Sequence, residues 1–274
     1  MQNYKWRSLA ILLLGLTVQS SFAEQAISAQ PFITVKASSQ EIHSICQQLS
    51  HKCSDEVKLW KPKNTQDQTY YLIDETPQIA QVKKQNNQYT VINEWNFKNY
   101  EHSNKDPHSD DLGPNGLKIF PALYPLNKNE YAIAVLNTWF TGYSGGGRFE
   151  ENADFIELEP KGQYQVALKD IAFSSSEMIR ACFSEQDYKK SPHCHDETWM
   201  TLNIRFKDTG QPYYLWQLNY KNYSWDAFKS KKTITVEQSS EDVFPFKKID
   251  TYLTKLSQIG VFLANNQNRD MAFT

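Results

Sequence analysis

The chain has 274 residues, with 29 Lys and Arg against 31 Asp and Glu, so its formal net charge is −2 at pH 7. This balance argues against a nucleic-acid partner, because nucleic-acid binding needs a concentrated basic surface. Hydrophobic residues make up 40% of the chain and aromatic residues 14%. The length is sufficient for one large β domain or for two smaller ones.

Residues 1–23 have the composition of a secretory signal peptide. Lys5 and Arg7 precede an apolar run from Leu9 to Val18, and small residues end the segment at Ala23. The run is too short to span a bilayer, so we predict cleavage rather than retention as an N-terminal membrane anchor. We expect an exported protein without a stable membrane span after cleavage. Its location would be the periplasm in a Gram-negative bacterium, and otherwise the protein would be secreted.

Four cysteines remain in the exported chain, and this even number predicts two disulfide bonds. The sequence alone leaves three connectivities open. Pairing Cys46 with Cys53 and Cys182 with Cys194 closes two short local loops. The first pair requires a helix that ends before Cys53, because seven residues of continuous helix would separate the two cysteines by about 10 Å.

The first predicted element after the signal is a short amphipathic helix. Ser38 and Glu41 have the spacing of a capping box, and Ile42, Ile45 and Leu49 follow at helical spacing.

Ten alternating, aromatic-rich segments follow, and short linkers rich in Asn, Gly, Pro and Lys separate many of them. This pattern is typical of antiparallel hairpins. The segments are 69–74, 78–83, 89–95, 117–124, 131–140, 153–158, 163–168, 199–207, 213–220 and 233–237.

These elements predict a mainly β protein, an antiparallel sheet or sandwich with an α+β tendency, a short N-terminal helix and a C-terminal amphipathic helix. Apolar residues at helical spacing from Phe246 to Leu263 indicate the last helix. A polar loop at 98–116 separates an N-terminal helix and hairpin region, 24–97, from a main antiparallel β region with the C-terminal helix, 117–274. The two regions could also form one domain.

The segment Gly142–Gly146, GYSGG, matches the G-x-S-x-G pattern. It resembles the nucleophile segments of the α/β-hydrolases and of the trypsin-like proteases, although Tyr143 replaces the acidic residue of the proteases. The first resemblance implies Ser144 as nucleophile, with His193 or His195 as base, at a strand-to-helix turn. The residues after the glycines alternate like a strand, which favours a glycine-rich hairpin tip without a catalytic residue.

A second chemical candidate consists of His193, His195 and Glu197. On a strand these side chains share one face, and two imidazoles with a carboxylate are a ligand set that Zn²⁺ accepts. Cys194 lies between them and is better used in a disulfide. We therefore expect no metal and no cofactor, and we keep a metal-dependent hydrolase as an alternative.

The candidate binding residues lie in two segments. Tyr143 and Arg148 flank the glycines of the predicted hairpin tip, while Tyr213, Tyr223 and Trp225 belong to an aromatic-rich stretch. Exposed Tyr and Trp side chains bind partners at a low entropy cost.

These observations favour an exported, non-catalytic binding protein with a protein partner. Its most concrete form is an inhibitor or immunity-type protein that neutralises a secreted or envelope-acting toxin or enzyme. The alternative is an exported hydrolase that uses Ser144, or a metal site at His193 and His195.

Overall fold

The computed structural model describes residues 26–63, 67–102, 112–190 and 193–247. The predicted signal peptide, and the predicted C-terminal helix beyond residue 247, lie outside these ranges. Within them, no helix is both long enough and apolar enough to cross a membrane.

Strands dominate the described residues, and two short helices accompany them. The helices are α1 (Ser39–Cys46) and α2 (Glu185–Lys190). The strands are β1 (Gln30–Thr34), β2 (Lys58–Pro62), β3 (Thr69–Asp74), β4 (Gln78–Gln85), β5 (Gln88–Asn96), β6 (Gly113–Pro125), β7 (Tyr131–Tyr143), β8 (Gly146–Leu158), β9 (Tyr164–Arg180), β10 (His195–Lys207), β11 (Leu215–Trp225) and β12 (Thr235–Val243).

The twelve strands of the described ranges form one hydrogen-bonded sheet in the order β12-β11-β10-β9-β8-β7-β6-β1-β2-β3-β4-β5. Every pairing is antiparallel. Strands that follow each other in sequence are neighbours throughout this order, with one exception. β6 pairs with β1 rather than with β5, so β1 lies between β2 and β6. The predicted class, mainly antiparallel β, is confirmed.

The structure adds two strands and lengthens most of the predicted ones; β8, for example, begins at Gly146, seven residues before the predicted segment 153–158. Alternation does not reveal β1 and β2, because each has only five residues and contains a proline, which cannot donate a ladder hydrogen bond. β6 begins at Gly113, inside the predicted loop 98–116, and a register shift near Gly116 accommodates its glycines. β9 continues for 17 residues, well beyond the predicted segment 163–168.

The sheet bends back on itself, as its buried residues show. Tyr71 and Ile79, from β3 and β4, pack in one cluster with Ile133 and Ile156, from β7 and β8, although several strands separate them in the sheet. The indole nitrogen of Trp95 also donates to two carbonyls between β8 and β9, at 2.8 Å each. Residues before and after the predicted loop therefore share one core.

A second buried cluster joins β6–β9 to β10–β12. Phe155 is fully buried, and its ring lies 4.8 Å from the ring of Tyr124 and 4.9 Å from that of Trp216. The Trp216 indole donates to the carbonyl of Pro125 at 3.1 Å, so the polar edge of this ring is satisfied inside the core.

α1 covers the remaining apolar face of β2–β5 by burying Ile45. The Ser38 hydroxyl accepts a hydrogen bond from the Glu41 amide at 3.2 Å, and the Glu41 carboxylate accepts one from the Ser38 amide at 2.8 Å. α1 ends at Cys46, which bonds to Cys53. The helix therefore stops early enough for the local disulfide to form.

A bulge divides β9 into two parts. Asp170 has a positive φ of 58°, and its amide donates to the buried Asp154 carboxylate at 2.6 Å. The Tyr100 hydroxyl donates to the same carboxylate at 2.7 Å. Before the bulge, β9 contributes Leu168 to the core, and just after it Ile171 is also buried; from residue 175 the strand continues into a sheet exposed on both faces.

We expect Phe155→Ala to reduce the free energy of unfolding by about 3–5 kcal/mol, because it empties a fully buried ring site. Phe140→Ala is the matched control, since the Phe140 side chain is 52% exposed and its removal should change stability by no more than about 0.5 kcal/mol. Denaturant unfolding measures both variants. Equal losses would contradict the assignment of Phe155 to the core.

Asp74 provides a pH-dependent test of the same region. It is buried at the end of β3, and its carboxylate accepts hydrogen bonds from the Ser54 amide at 2.9 Å, the Gln78 side chain at 2.8 Å and the Ser54 hydroxyl. Burial alone would raise the pKa of this carboxyl, but the hydrogen bonds outweigh burial and lower the pKa below its ordinary value.

A depressed pKa stabilises the fold above the unfolded-state value of about 3.9, and this stabilisation is lost as pH falls through the folded-state pKa. We expect Asp74→Asn to lose about 1–3 kcal/mol of stability at neutral pH and to show a weaker loss of stability on acidification than the wild type. Urea unfolding across a pH series tests this, with the exposed neighbour substitution Glu75→Gln as control. An unchanged acid dependence in Asp74→Asn would refute the role of this carboxylate.

Candidate functional site

The ends of β7–β12 project beyond the core and form a sheet that is exposed on both faces. We call this region the outer sheet. None of its described side chains is buried. It comprises residues 140–143, 146–149, 175–180, 195–201, 219–225 and 235–240.

Strand register places a row of large side chains across one face of the outer sheet. Directly paired residues of neighbouring antiparallel strands project to the same face. The successive partners, from β7 to β12, are Phe140, Phe149, Ser176, Trp199, Tyr223 and Val236. Phe140 is 52% exposed and Val236 is 45% exposed.

The rings of Trp199 and Tyr223 are stacked on each other, with centroids 4.8 Å apart and planes 4° apart. This separation matches the distance between neighbouring strands, about 4.8 Å. The two rings therefore stand side by side on the sheet. Tyr223 covers one side of the Trp199 indole, and the other side is directed over Ser176 towards Phe149.

The adjacent row on the same face contains Met178, Glu197 and Trp225 as successive partners. The His193 ring stacks on Trp225 at 3.5 Å, with planes 6° apart. Its Nδ1 lies 3.8 Å from a Glu197 carboxylate oxygen. We call this side of the outer sheet the aromatic face; it is defined by Phe140, Phe149, Met178, Trp199, Tyr223 and Trp225.

A cleft of about 540 Å³ opens on the aromatic face between Phe149 and Trp199. The two residues lie on β8 and β10, about 10 Å apart, because β9 runs between them. Ser176 of β9 is too small to fill this space and forms the floor. Met178 and Glu197 lie at one end of the cleft.

Lys118 approaches the other side of Phe149, with its Nζ 5.6 Å from the ring centroid. The same amine pairs with the Glu151 carboxylate, which also accepts a hydrogen bond from the Ser174 hydroxyl at 2.5 Å. A paired lysine and carboxylate therefore lie at the base of the outer sheet.

The opposite face of the outer sheet carries mostly polar side chains, several of which are paired within the protein. Arg148 forms an ion pair with Glu150, and the Tyr143 hydroxyl donates to the Glu177 carboxylate at 3.1 Å. Thr198 and Ser224 continue the row of Arg148 and Glu177. Ile179, the register partner of Asp196, also lies on this face and is 49% exposed. A row of neighbouring rings therefore distinguishes the aromatic face.

The five candidate binding residues occupy three places. Tyr223 and Trp225 lie on the aromatic face, whereas Tyr143 and Arg148 lie on the opposite face. Tyr213 lies away from both, packed on Phe246 with ring centroids 4.7 Å apart. The structure brings these residues together only in pairs, because Tyr143 and Arg148 project to one face of the outer sheet, and Tyr223 and Trp225 to the other.

Sequence reasoning did not single out Phe140, Phe149, Met178 and Trp199 as site residues. Each has the ordinary alternation of a strand residue, and their common face depends on the pairing of four different strands. The available signal was the run of three serines at 174–176 on β9, because consecutive polar residues are unusual inside a strand of a buried sheet.

Ser144 lies in a two-residue turn between β7 and β8, and Tyr143 pairs with Gly146 across it. A nucleophile elbow requires a helix after the serine, but here the chain returns as β8. Gly145 has a φ of +100°, and its carbonyl accepts a hydrogen bond from the Arg180 amide at 2.9 Å. Turn geometry therefore accounts for this glycine.

Of the proposed bases, His195 lies two strands away from this turn. Arg180 of β9 is hydrogen-bonded to Gly145 and is also the register partner of His195. Two strand spacings separate the backbones of Gly145 and His195 by about 10 Å, with Arg180 between them.

The histidine segment serves structural contacts in the described chain. His193 and Glu197 are close to each other, as noted above, but within the described residues no group of three or more His, Cys, Asp or Glu side chains could hold a metal ion. Cys194 bonds to Cys182, and the Ala181 amide donates to the Cys194 carbonyl at 2.8 Å. This disulfide ties the ends of β9 and β10 beside the aromatic face.

Gly146 provides a test of the turn interpretation. A Cβ atom at this position would lie 1.9 Å from the Met178 carbonyl oxygen, whereas one at Gly142 would lie 3.7 Å from the nearest atoms, in the Phe140 ring. We expect Gly146→Ala to reduce stability by about 1–3 kcal/mol and Gly142→Ala to change it by no more than about 0.5 kcal/mol. Thermal and denaturant unfolding check this, and a neutral Gly146→Ala would contradict the close approach of β8 and β9.

Comparison of the chain with models of protein families, with curated proteins and with solved structures found no match.

Proposed function

We propose that this chain is an exported, non-catalytic binding protein that holds a protein partner on the aromatic face. The observation that carries the proposal is the row of rings on β7, β8, β10 and β11, of which Phe140 is exposed and the others are half-buried, continued by the exposed Val236 on β12. Soluble proteins seldom expose contiguous large apolar side chains, and such surfaces usually bind a partner.

The rigidity of the site supports this proposal. The rings stand on paired strands rather than on loops, and stacking already orients Trp199 and Tyr223. Little side-chain entropy remains to be lost on binding, so a larger part of the contact energy contributes to affinity. Tyr, Trp, Phe and Met are also enriched at protein interfaces.

The chemistry of the two faces supports the choice of side. Arg148 and Tyr143 already have partners within the protein. Binding on their face would require these contacts to be replaced, whereas the aromatic face can bury apolar surface directly.

Two features support action outside the cytoplasm. The described chain contains two disulfides, Cys46–Cys53 and Cys182–Cys194, and such bonds persist mainly in oxidising compartments. The first 23 residues have a signal-like pattern. In its most specific form, the proposal is an inhibitor or immunity-type protein that neutralises a secreted or envelope-acting toxin or enzyme.

Site-specific photo-crosslinking tests this proposal. Phe140 and Tyr143 lie on the same strand and are both exposed, at 52% and 38%, but their side chains project to opposite faces. Each is replaced in turn by benzoylphenylalanine, and the protein is irradiated in an envelope extract of the source organism. We expect one discrete crosslinked protein at position 140, lost when Trp199→Ala is added, and none at position 143.

Purification of the crosslinked partner then tests the inhibitor form, because the partner's toxic or enzymatic activity should fall on addition of the wild-type protein. A crosslink at position 143 alone, or identical crosslinks at both positions, would overturn the assignment of the aromatic face. A bound partner whose activity is unchanged would overturn the inhibitor form.

A further inference from the structure

We infer that the cleft between Phe149 and Trp199 receives an arginine side chain of the partner. This inference rests on the proposed function and specifies the chemistry that the aromatic face recognises. It is carried by the shape of the cleft and by the single charged side chain that projects into it.

Only some of the residues that line the cleft direct their side chains into it, because strand residues alternate between the two faces. Arg148, Glu177 and Thr198 contribute backbone to the cleft, but their side chains project to the opposite face, where the first two form the contacts described above. Among the described lining residues, Glu197 therefore supplies the one charged side chain on the cleft's own face. Aromatic rings, Met178 and Ser176 supply the rest.

The Glu197 carboxylate can accept a ligand's hydrogen bonds. Its side chain is 32% exposed, and the His193 Nδ1 lies 3.8 Å away. That distance is longer than a hydrogen bond. A carboxylate beside an indole forms a site for a cation, because the ring face and the carboxylate attract positive charge from two sides.

The walls of the cleft favour a planar cation with an apolar stem. Phe149 and Trp199 lie about 10 Å apart. A planar group stacked on one of these rings lies about 3.5 Å from it, roughly a third of that distance. The remaining gap accepts a flat guanidinium stacked on Trp199, with its methylene stem against Met178. A lysine ammonium is compact and strongly hydrated, and it cannot stack on a ring or donate two parallel hydrogen bonds to Glu197.

The small residues of the cleft are consistent with entry of a long side chain. Gly147 lies between Met178 and Gly142 in the register and carries no side chain that would close the cleft at its end. The small side chain of Ser176 leaves the space between the two rings open down to the backbone of β9. A stem of three methylenes can therefore reach the carboxylate from above the sheet.

A ligand series on the wild-type protein tests the inference without depending on the folding of a variant. The probes are the N-acetyl amides of arginine, citrulline and lysine, and binding is followed by the indole N–H resonance of Trp199, assigned with Trp199→Phe. Citrulline has nearly the shape of arginine but no charge. We expect arginine to bind with a dissociation constant of roughly 1 mM and both other probes to bind at least about tenfold more weakly.

Glu197→Gln and Glu177→Gln form a matched pair of variants, since both residues line the cleft but project to opposite faces. The first should weaken arginine binding by about tenfold and leave citrulline binding unchanged, and the second should alter neither by more than about twofold. Equal binding of arginine and citrulline, lysine binding as tight as arginine, or no arginine binding would each overturn the inference. An equal effect of the two variants would do the same.

The two proposals can fail separately. A position-140 crosslink with no arginine preference would refute the arginine site and leave the aromatic face as the binding surface. Arginine binding at Trp199 with no crosslink at position 140 would refute the partner surface and leave a small-ligand site.

Discussion

The pairing of β8 with β9 along the whole length of β8, with register shifts near its middle, is the constraint on which the rest of the structure depends. The two strands pair from Gly146 to Leu158 along β8, through the core and out into the outer sheet. The bulge held by Asp154 and Asp170 lies near the end of the core, next to the buried Ile171. Without this pairing, β7 and β10 would lose the neighbours that position the rings of the aromatic face.

The same constraint explains the small residues at the centre of the outer sheet. β8 approaches β9 so closely at Gly146 that a side chain there would collide with the Met178 carbonyl. Ser176 sits between Phe149 and Trp199 and leaves the cleft open. Gly146 and Ser176, small residues that contribute little to a buried core, thus shape the surface between the rings.

Local patterns predicted most strands and the linkers between them, because antiparallel hairpins are specified by alternation and turn residues over short distances. Ser174–Ser176 hid the outer half of β9, since a strand exposed on both faces need not alternate in polarity. β1 and β2 were hidden by their length and their prolines. The site was less predictable than the fold: Tyr223 and Trp225 were singled out, whereas Phe149 and Trp199 passed as ordinary strand residues.

The sequence by itself determined the antiparallel class, the order of the hairpins and the residue types available for recognition, since these depend on local spacing. The tertiary structure decided which of those residues share a face. Successive residues of a strand project to alternate faces, so Phe140 and Tyr143, three residues apart, face opposite ways. A shift of one residue in register would exchange the two faces for every side chain of a strand. The tertiary structure also placed Ser144, because only the pairing of β8 back onto β7 shows that Ser144 and Gly145 form the turn of a hairpin.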